Sequence, residues 1–252
     1  HDINYQALSG VLSYSGYGKR PALPGVQIAD LGGGALLAAF SIMTALFARE
    51  RLGKGQFLDI SMTDGAMAWN CLQGGAYLAD GRAPGPGEGF LNHGCACYNV
   101  YETRDGRYMA LGAMEPQFWK AFCRTADHPE WDRPDYMEPG LHQVELQERI
   151  GAFFRQKTQK DWIEHFGGAD CCCEPVLDLP EAMDSPLARE RGMAVEEKDG
   201  VHRQLGIAPK FSLTPGELRS RAPALGEHTA SILGELGYSP AQIGEFRAAG
   251  VV

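Results

Sequence analysis

The chain has 252 residues, 44% of them hydrophobic, with 23 Lys and Arg against 32 Asp and Glu, a formal net charge of −9. This is ordinary globular material, enough for one good core or two small ones. The acidic balance excludes a nucleic-acid binder, whose phosphate contacts demand a basic surface, but still admits an anionic small ligand held by local cations or helix N-termini.

The chain opens on His1-Asp2-Ile3-Asn4-Tyr5, and a carboxylate, Asp30, is pressed against Gly32-Gly33-Gly34. The glycines lead into an apolar run from Ala35 to Ala48, which predicts that Asp30 caps a buried helix whose free N–H groups and positive dipole end face a ligand. Three glycines after a cap are costly and imply close approach of another group. A histidine and a carboxylate meeting one substrate carbon would suit proton removal and return. The run from Leu31 to Ala48 falls short of a membrane span and contains Ser41 and Thr44, so a core helix over Ala35–Arg51, covered on several sides, is expected, and no membrane partner. Gly53 stops it. The alternation in Gln56–Met62 predicts a strand, and Thr63 or Asp64 should cap a helix reaching about Leu78. Helix, strand, helix is the end of a doubly wound α/β domain.

Seven Gly and Pro between Asp80 and Gly94 mark a hinge or covering loop. A hairpin follows, Tyr98–Thr103 and Tyr108–Gly112 about Asp105-Gly106. Glu115-Pro116 starts a helix carrying Phe118, Trp119 and Phe122. Further helices are expected over Val144–Gln156 and Thr158–Phe166, the second with a Thr158/Asp161 capping box. Cys171–Val176 reads as a strand, 193–205 as a hairpin over Asp199-Gly200, and Ser239-Pro240 as the start of the last helix. The expected domains are therefore 1–80, the end of a large Rossmann-like α/β domain; 81–94, a linker; 95–192, a small α+β domain; and 193–252, a return segment.

The odd count of seven cysteines suggests reduced intracellular thiols, with cytoplasm as the default and mitochondrion or peroxisome as open alternatives. Cys95-x-Cys97 and Cys171-Cys172-Cys173 lack zinc-site spacing and read as small buried strand residues, so no metal is expected.

The strings His1–Tyr5, Ala29–Gly34, Arg51–Gln56, Gly112–Phe118 and the tail from Gly226 to Val252 strongly resemble the family III CoA-transferase (CaiB/BaiF) superfamily, its α-methylacyl-CoA racemase branch in particular. Members carry a nucleotide-fold segment before the His-Asp-x-Asn-Tyr string, so the resemblance implies that this chain is a C-terminal portion, inactive alone. It also implies an acyl-CoA substrate, coenzyme A entering as part of that substrate with no tightly bound cofactor, and an interlocked homodimer. The implied catalytic residues are His1 and Asp30 as two bases serving opposite faces of the substrate, and Glu115 accepting a hydrogen bond from His1. Asp2, Tyr5, Gly32 and Gly33 fall on the site wall, and Tyr98 and Cys171 near the acyl pocket. The alternative within the superfamily is CoA transfer between carboxylic acids, which needs Asp30 but no second base.

Overall fold

The computed structural model describes residues 1–18, 20–138, 140, 142–196 and 203–252. They form a mixed α and β structure in two compact units, His1–Val176 and Leu177–Val252. The boundary coincides with neither the 81–94 linker, which lies inside the first unit, nor the 192/193 border expected from the sequence.

The first unit opens with α1 (Asp2–Leu8) and α2 (Val11–Tyr14), then a short antiparallel ribbon of β1 (Gly16–Tyr17) and β2 (Arg20–Pro21). A π-helical segment, Ile28–Leu36, runs directly into α3 (Leu37–Leu52), which ends at Gly53 in the left-handed conformation. The three glycines thus lie inside the helix, and its N-cap is Gln27, not Asp30. Next come α4 (Met62–Ala68), capped by the Ser61 side chain on Asp64 N at 3.2 Å, and α5 (Cys71–Asp80). The cap therefore precedes the expected Thr63 or Asp64, and the single expected helix is broken at Trp69-Asn70.

Two expectations fail here. Gln56–Ser61 is not a strand, and Phe57 is 91% exposed; alternation makes a strand only where a neighbour supplies ladder hydrogen bonds, and no described residue does. Likewise α3 has no buried residue, and Leu36, Phe40, Met43 and Phe47 are exposed, so the expected covering of this helix is absent among the described residues. The continuous helix Ile28–Leu52, 25 residues, is the one described helix long and apolar enough to cross a membrane. Residues 1–80 contribute α1–α5 and the β1–β2 ribbon, and every pairing between the named strands is antiparallel.

The core of the unit lies further on. β3 (Tyr98–Glu102) pairs with β4 (Tyr108–Gly112) as the expected hairpin, turned by Gly106 at φ 73° and by Thr103 Oγ1 donating to Asp105 Oδ1 at 2.6 Å. β5 (Cys173–Pro175) adds antiparallel to β4. Against this sheet pack α6 (Pro116–Thr125), α7 (His142–Phe154) and α8 (Gln159–Phe166), the last opened by the full Thr158/Asp161 capping box. Phe122 is stacked with Trp119, Trp131, Phe154 and Phe166 at centroid separations of 5.5 to 6.3 Å. The two buried indoles have hydrogen-bond acceptors, Trp119 on Trp131 O at 2.9 Å and Trp162 on Phe154 O at 2.7 Å, which removes the penalty of burying their N–H groups. Cys95 and Cys97 are buried in this core as expected, but in the turn before β3 rather than on a strand.

The second unit holds α9 (Leu179–Met183), α10 (Pro186–Glu190), the antiparallel pair β6 (Ala194–Glu196) and β7 (Arg203–Leu205), α11 (Thr229–Glu235) and α12 (Pro240–Ala248). The strands match the expected hairpin; its Asp199-Gly200 turn lies outside the described residues. Capping boxes start α9 (Asp178/Glu181) and α12 (Ser239/Gln242).

Candidate active site

Asp2 joins the two ends of the candidate site. Its Oδ1 accepts from the amides of Ala29, at 2.8 Å, and Asp30, at 2.9 Å. The amides of a first helical turn have no intrahelical acceptor, and a carboxylate there meets both the hydrogen-bond and the dipole demand. The second oxygen, Oδ2, accepts from the buried Gln6 side chain one turn along α1. His1, the residue before Asp2 and the N-cap of α1, is thereby anchored on the turn that carries Asp30.

Behind that turn, α4 crosses the π segment with almost no space. A Cβ on Gly65 would stand 2.2 Å from Gly33 O, and one on Gly33 would stand 2.8 Å from both Met62 O and Ala66 N. A Cβ on Gly34 would stand 2.9 Å from the Met62 side chain. The close approach implied by the glycines is therefore that of α4, and Gly33 is buried there. Gly32 differs: a Cβ on it would rest on the Trp69 ring at an ordinary 3.5 Å, so packing alone does not demand glycine.

The side chains of His1 and Asp30 are exposed and have no hydrogen-bond partner among the described residues. Tyr5 is half-buried on α1. Glu115 is the N-cap of α6, with Pro116 at the first helical position; its carboxylate makes no capping bond and no hydrogen bond to His1 among the described residues. It lies instead within electrostatic reach of Cys172, whose thiol is raised first by burial and then by the Asp170, Glu115 and Glu174 carboxylates.

A cavity of about 430 Å³ opens on the β3–β4–β5 sheet, lined by Leu91, His93, Tyr98, Asn99, Leu111 and Cys172 among others. Tyr98 lines it. Cys171 does not line it: it is buried in the aromatic core, its thiol pushed up to about 11 by burial, and the cysteine facing the cavity is Cys172. Cys172 has φ 52° and its carbonyl accepts from Gly112 N at 2.8 Å, a left-handed kink that separates the two side chains. Sequence reasoning missed His93 and Asn99, which no motif marks. Among the described residues no group of three or more His, Cys, Asp and Glu could hold a metal ion.

A histidine at the start of α1 and a carboxylate on the helical turn tied to it by Asp2 are the groups an acid–base or acyl-transfer site would need, and comparison with known proteins gives the family. Residues 1–229 match CoA-transferase family III, and the chain belongs to that family. It is 38% identical over 248 residues to the alpha-methylacyl-CoA racemase of Homo sapiens and 36% identical over 250 residues to that of Mus musculus, in each case covering 96% of this chain and 64% of the relative. The Homo sapiens succinyl-CoA:glutarate CoA-transferase is 27% identical over 261 residues, covering 100% of this chain and 59% of the relative. In fold, a CAIB/BAIF family protein from Brucella suis superposes with a TM-score of 0.76 at 24% identity over 94% of this chain and 62% of its own. The chain thus spans about 64% of the length of the racemases it matches.

Proposed function

We propose that the protein inverts the carbon next to the thioester of a 2-methylacyl-CoA. The observation that carries this reading is the Asp2 bridge, which ties the start of α1, where His1 stands, to the helical turn that carries Asp30; the likeness to the racemases supports it. The thioester acidifies the α C–H bond. Neutral His1 takes that proton, leaving an enolate, and the protonated Asp30 carboxyl returns a proton to the opposite face; the other epimer reverses the roles. The amides of Ala29 and Asp30 are already held by Asp2, so the donors for the enolate oxygen have to be other groups. Glu115 and Tyr98 would serve the acyl end, where Cys172 takes the place first given to Cys171. Coenzyme A enters only with the substrate. A homodimer and a cytoplasmic location belong to the same proposal.

CoA transfer is the second reading, favoured by the family match and by the exposed Asp30 carboxylate, which is free to attack a thioester. Asp30 would form an acyl anhydride with loss of CoA thiolate, which then returns to give an aspartyl-CoA thioester and the free acid.

One experiment separates them: the full-length protein, its His1→Ala and its Asp30→Asn variants, with each epimer of a 2-methylacyl-CoA in deuterated water. Racemisation predicts α-hydrogen exchange in the unmodified protein, and loss of His1 suppressing it from one epimer more than from the other. Acceptor-dependent CoA transfer without α-exchange, tolerant of His1→Ala but not of Asp30→Asn, would reject racemisation in favour of transfer.

A further inference from the structure

We infer that His93 and Asn99 make the sheet cavity a site for an acyl group carrying a hydroxyl, which donates its hydrogen to His93 Nε2. The inference deepens the acyl-CoA reading above and rests on it for the placement of the acyl group.

His93 is one of three non-glycine residues with positive φ among the described residues, at 63°. Residues other than glycine occupy that conformation at a cost and persist there only when their surroundings hold them. Here several contacts do. The His93 carbonyl accepts from Gln147 Nε2 at 2.7 Å and from Asn99 Nδ2 at 3.5 Å. Its ring meets the Tyr17 ring edge-on at 5.3 Å. Its Nδ1 lies 2.7 Å from Asn99 Oδ1.

The last contact fixes the tautomer. Asn99 Oδ1 also accepts from the Val100 amide at 2.8 Å, while Asn99 Nδ2 points at the His93 carbonyl, so the amide is oriented and its oxygen can only accept. The proton of a neutral imidazole therefore sits on Nδ1, leaving a lone pair on Nε2. No described residue donates to it. The geometry presents an oriented acceptor without a donor, on the rim shared by the 430 Å³ cavity and a second one of about 650 Å³.

The surroundings select the donor. Leu91, Val100, Ala110 and Leu111 give the first cavity an apolar floor suited to a hydrocarbon chain, and Cys172 at its wall links it to Glu115. A purely hydrocarbon acyl group would cover Nε2 and leave it unpaired, which costs affinity. A carboxylate would have to protonate His93 and share the cavity with Glu174. A neutral hydroxyl avoids both costs.

The test is calorimetric titration of the full-length protein with hexanoyl-CoA and with its hydroxylated analogues, the hydroxyl moved stepwise from the β carbon to the chain end. One analogue should bind about three- to tenfold tighter than hexanoyl-CoA, the worth of a single hydrogen bond, and His93→Gly should abolish that preference while still binding hexanoyl-CoA. Glycine takes the left-handed conformation without strain, so this variant keeps its fold; thermal unfolding of His93→Gly and His93→Asn checks it. Binding of all the thioesters without hydroxyl preference, or a preference that survives in His93→Gly, overturns the inference and leaves the acyl-CoA reading standing. Failure of every thioester to bind the unmodified protein overturns that reading and this inference with it.

Discussion

The carboxylate of Asp2 accepts a hydrogen bond from the amide of Asp30 at 2.9 Å, so a residue at the start of the chain finishes a helix that begins 26 positions later. This contact decides where His1 stands and which amides of the helix start are occupied. Removing it by Asp2→Ala should destabilise the chain by about 1–2 kcal/mol, the usual worth of a lost cap, and Asp2→Asn, which keeps an acceptor, should cost less. Urea denaturation measures both. In the full-length protein Asp2→Ala should also lower turnover more than Asp2→Asn; equal turnover in the two variants would detach the bridge from the chemistry.

The Gly33–Gly65 crossing leads to a contrast within one residue type. Gly65→Ala would put a methyl 2.2 Å from Gly33 O, and Gly33→Ala would put one 2.8 Å from α4 backbone. Backbone atoms cannot swing aside as a side chain does, so each should cost about 3 kcal/mol or more. Gly75 in α5 has open space and an ordinary helical φ, so Gly75→Ala should stabilise by about 0.5–1 kcal/mol. Thermal unfolding of the three variants gives the order directly.

Structure set by neighbours in sequence was legible, and structure set by distant partners was not. Asp105-Gly106, Thr158/Asp161 and Ser239/Gln242 each satisfy their own backbone within a few residues, and the hairpin and helix starts appear where those residues stand. Gln56–Ser61 has the alternation of a strand and no ladder, because pairing depends on another segment. The Asp2 bridge and the Gly33–Gly65 contact join residues 27 to 32 positions apart, and no local pattern announces them. His1, Asp30 and Glu115 were marked by their strings. His93 and Asn99 belong to none, and the left-handed backbone that singles out His93 is visible only in three dimensions.

The exposed face of α3 gives a prediction about behaviour in solution. Phe40, Met43 and Phe47 lie uncovered within two turns of one helix, and contiguous exposed apolar side chains favour association. The isolated 252-residue chain should self-associate, and Phe40→Ser with Phe47→Ser should shift it toward monomer in light scattering. An unmodified chain that stays monomeric at all concentrations would contradict this.

Acid should loosen the start of α8. Asp161 is held below the ordinary carboxylate range by the Thr158 hydroxyl and amide, and Asp105 by the Thr103 hydroxyl and the Gln159 amide. Because the folded values are depressed, this stabilisation is fully present above the ordinary value of about 4 and is lost as pH falls through the lower folded values. Thr158→Ala together with Asp105→Asn should flatten the loss of stability below about pH 4. Unfolding midpoints across that range, compared with the unmodified chain, provide the check; parallel curves would show that these two turns do not contribute.

Glu115 and Cys172 allow the position of a candidate active-site carboxylate to be read chemically. The Glu115 charge is one of three carboxylates that disfavour the Cys172 thiolate, after burial. Glu115→Gln should therefore lower the Cys172 pKa and speed its alkylation near pH 8, where an unperturbed thiol of pKa about 8.5 is only partly ionised. Exposed Cys71 serves as an internal reference, since nothing in its surroundings changes. Mass spectrometry of the iodoacetamide-treated chain would show the Cys172 peptide modified faster in the variant and the Cys71 peptide at an unchanged rate. In the full-length protein the same substitution should reduce turnover more than substrate affinity if, as proposed, the sheet cavity takes the acyl group, because a carboxylate beside it acts on the reacting end and not on the CoA handle. Faster Cys172 alkylation with unchanged turnover would place Glu115 beside the cavity but outside the reaction.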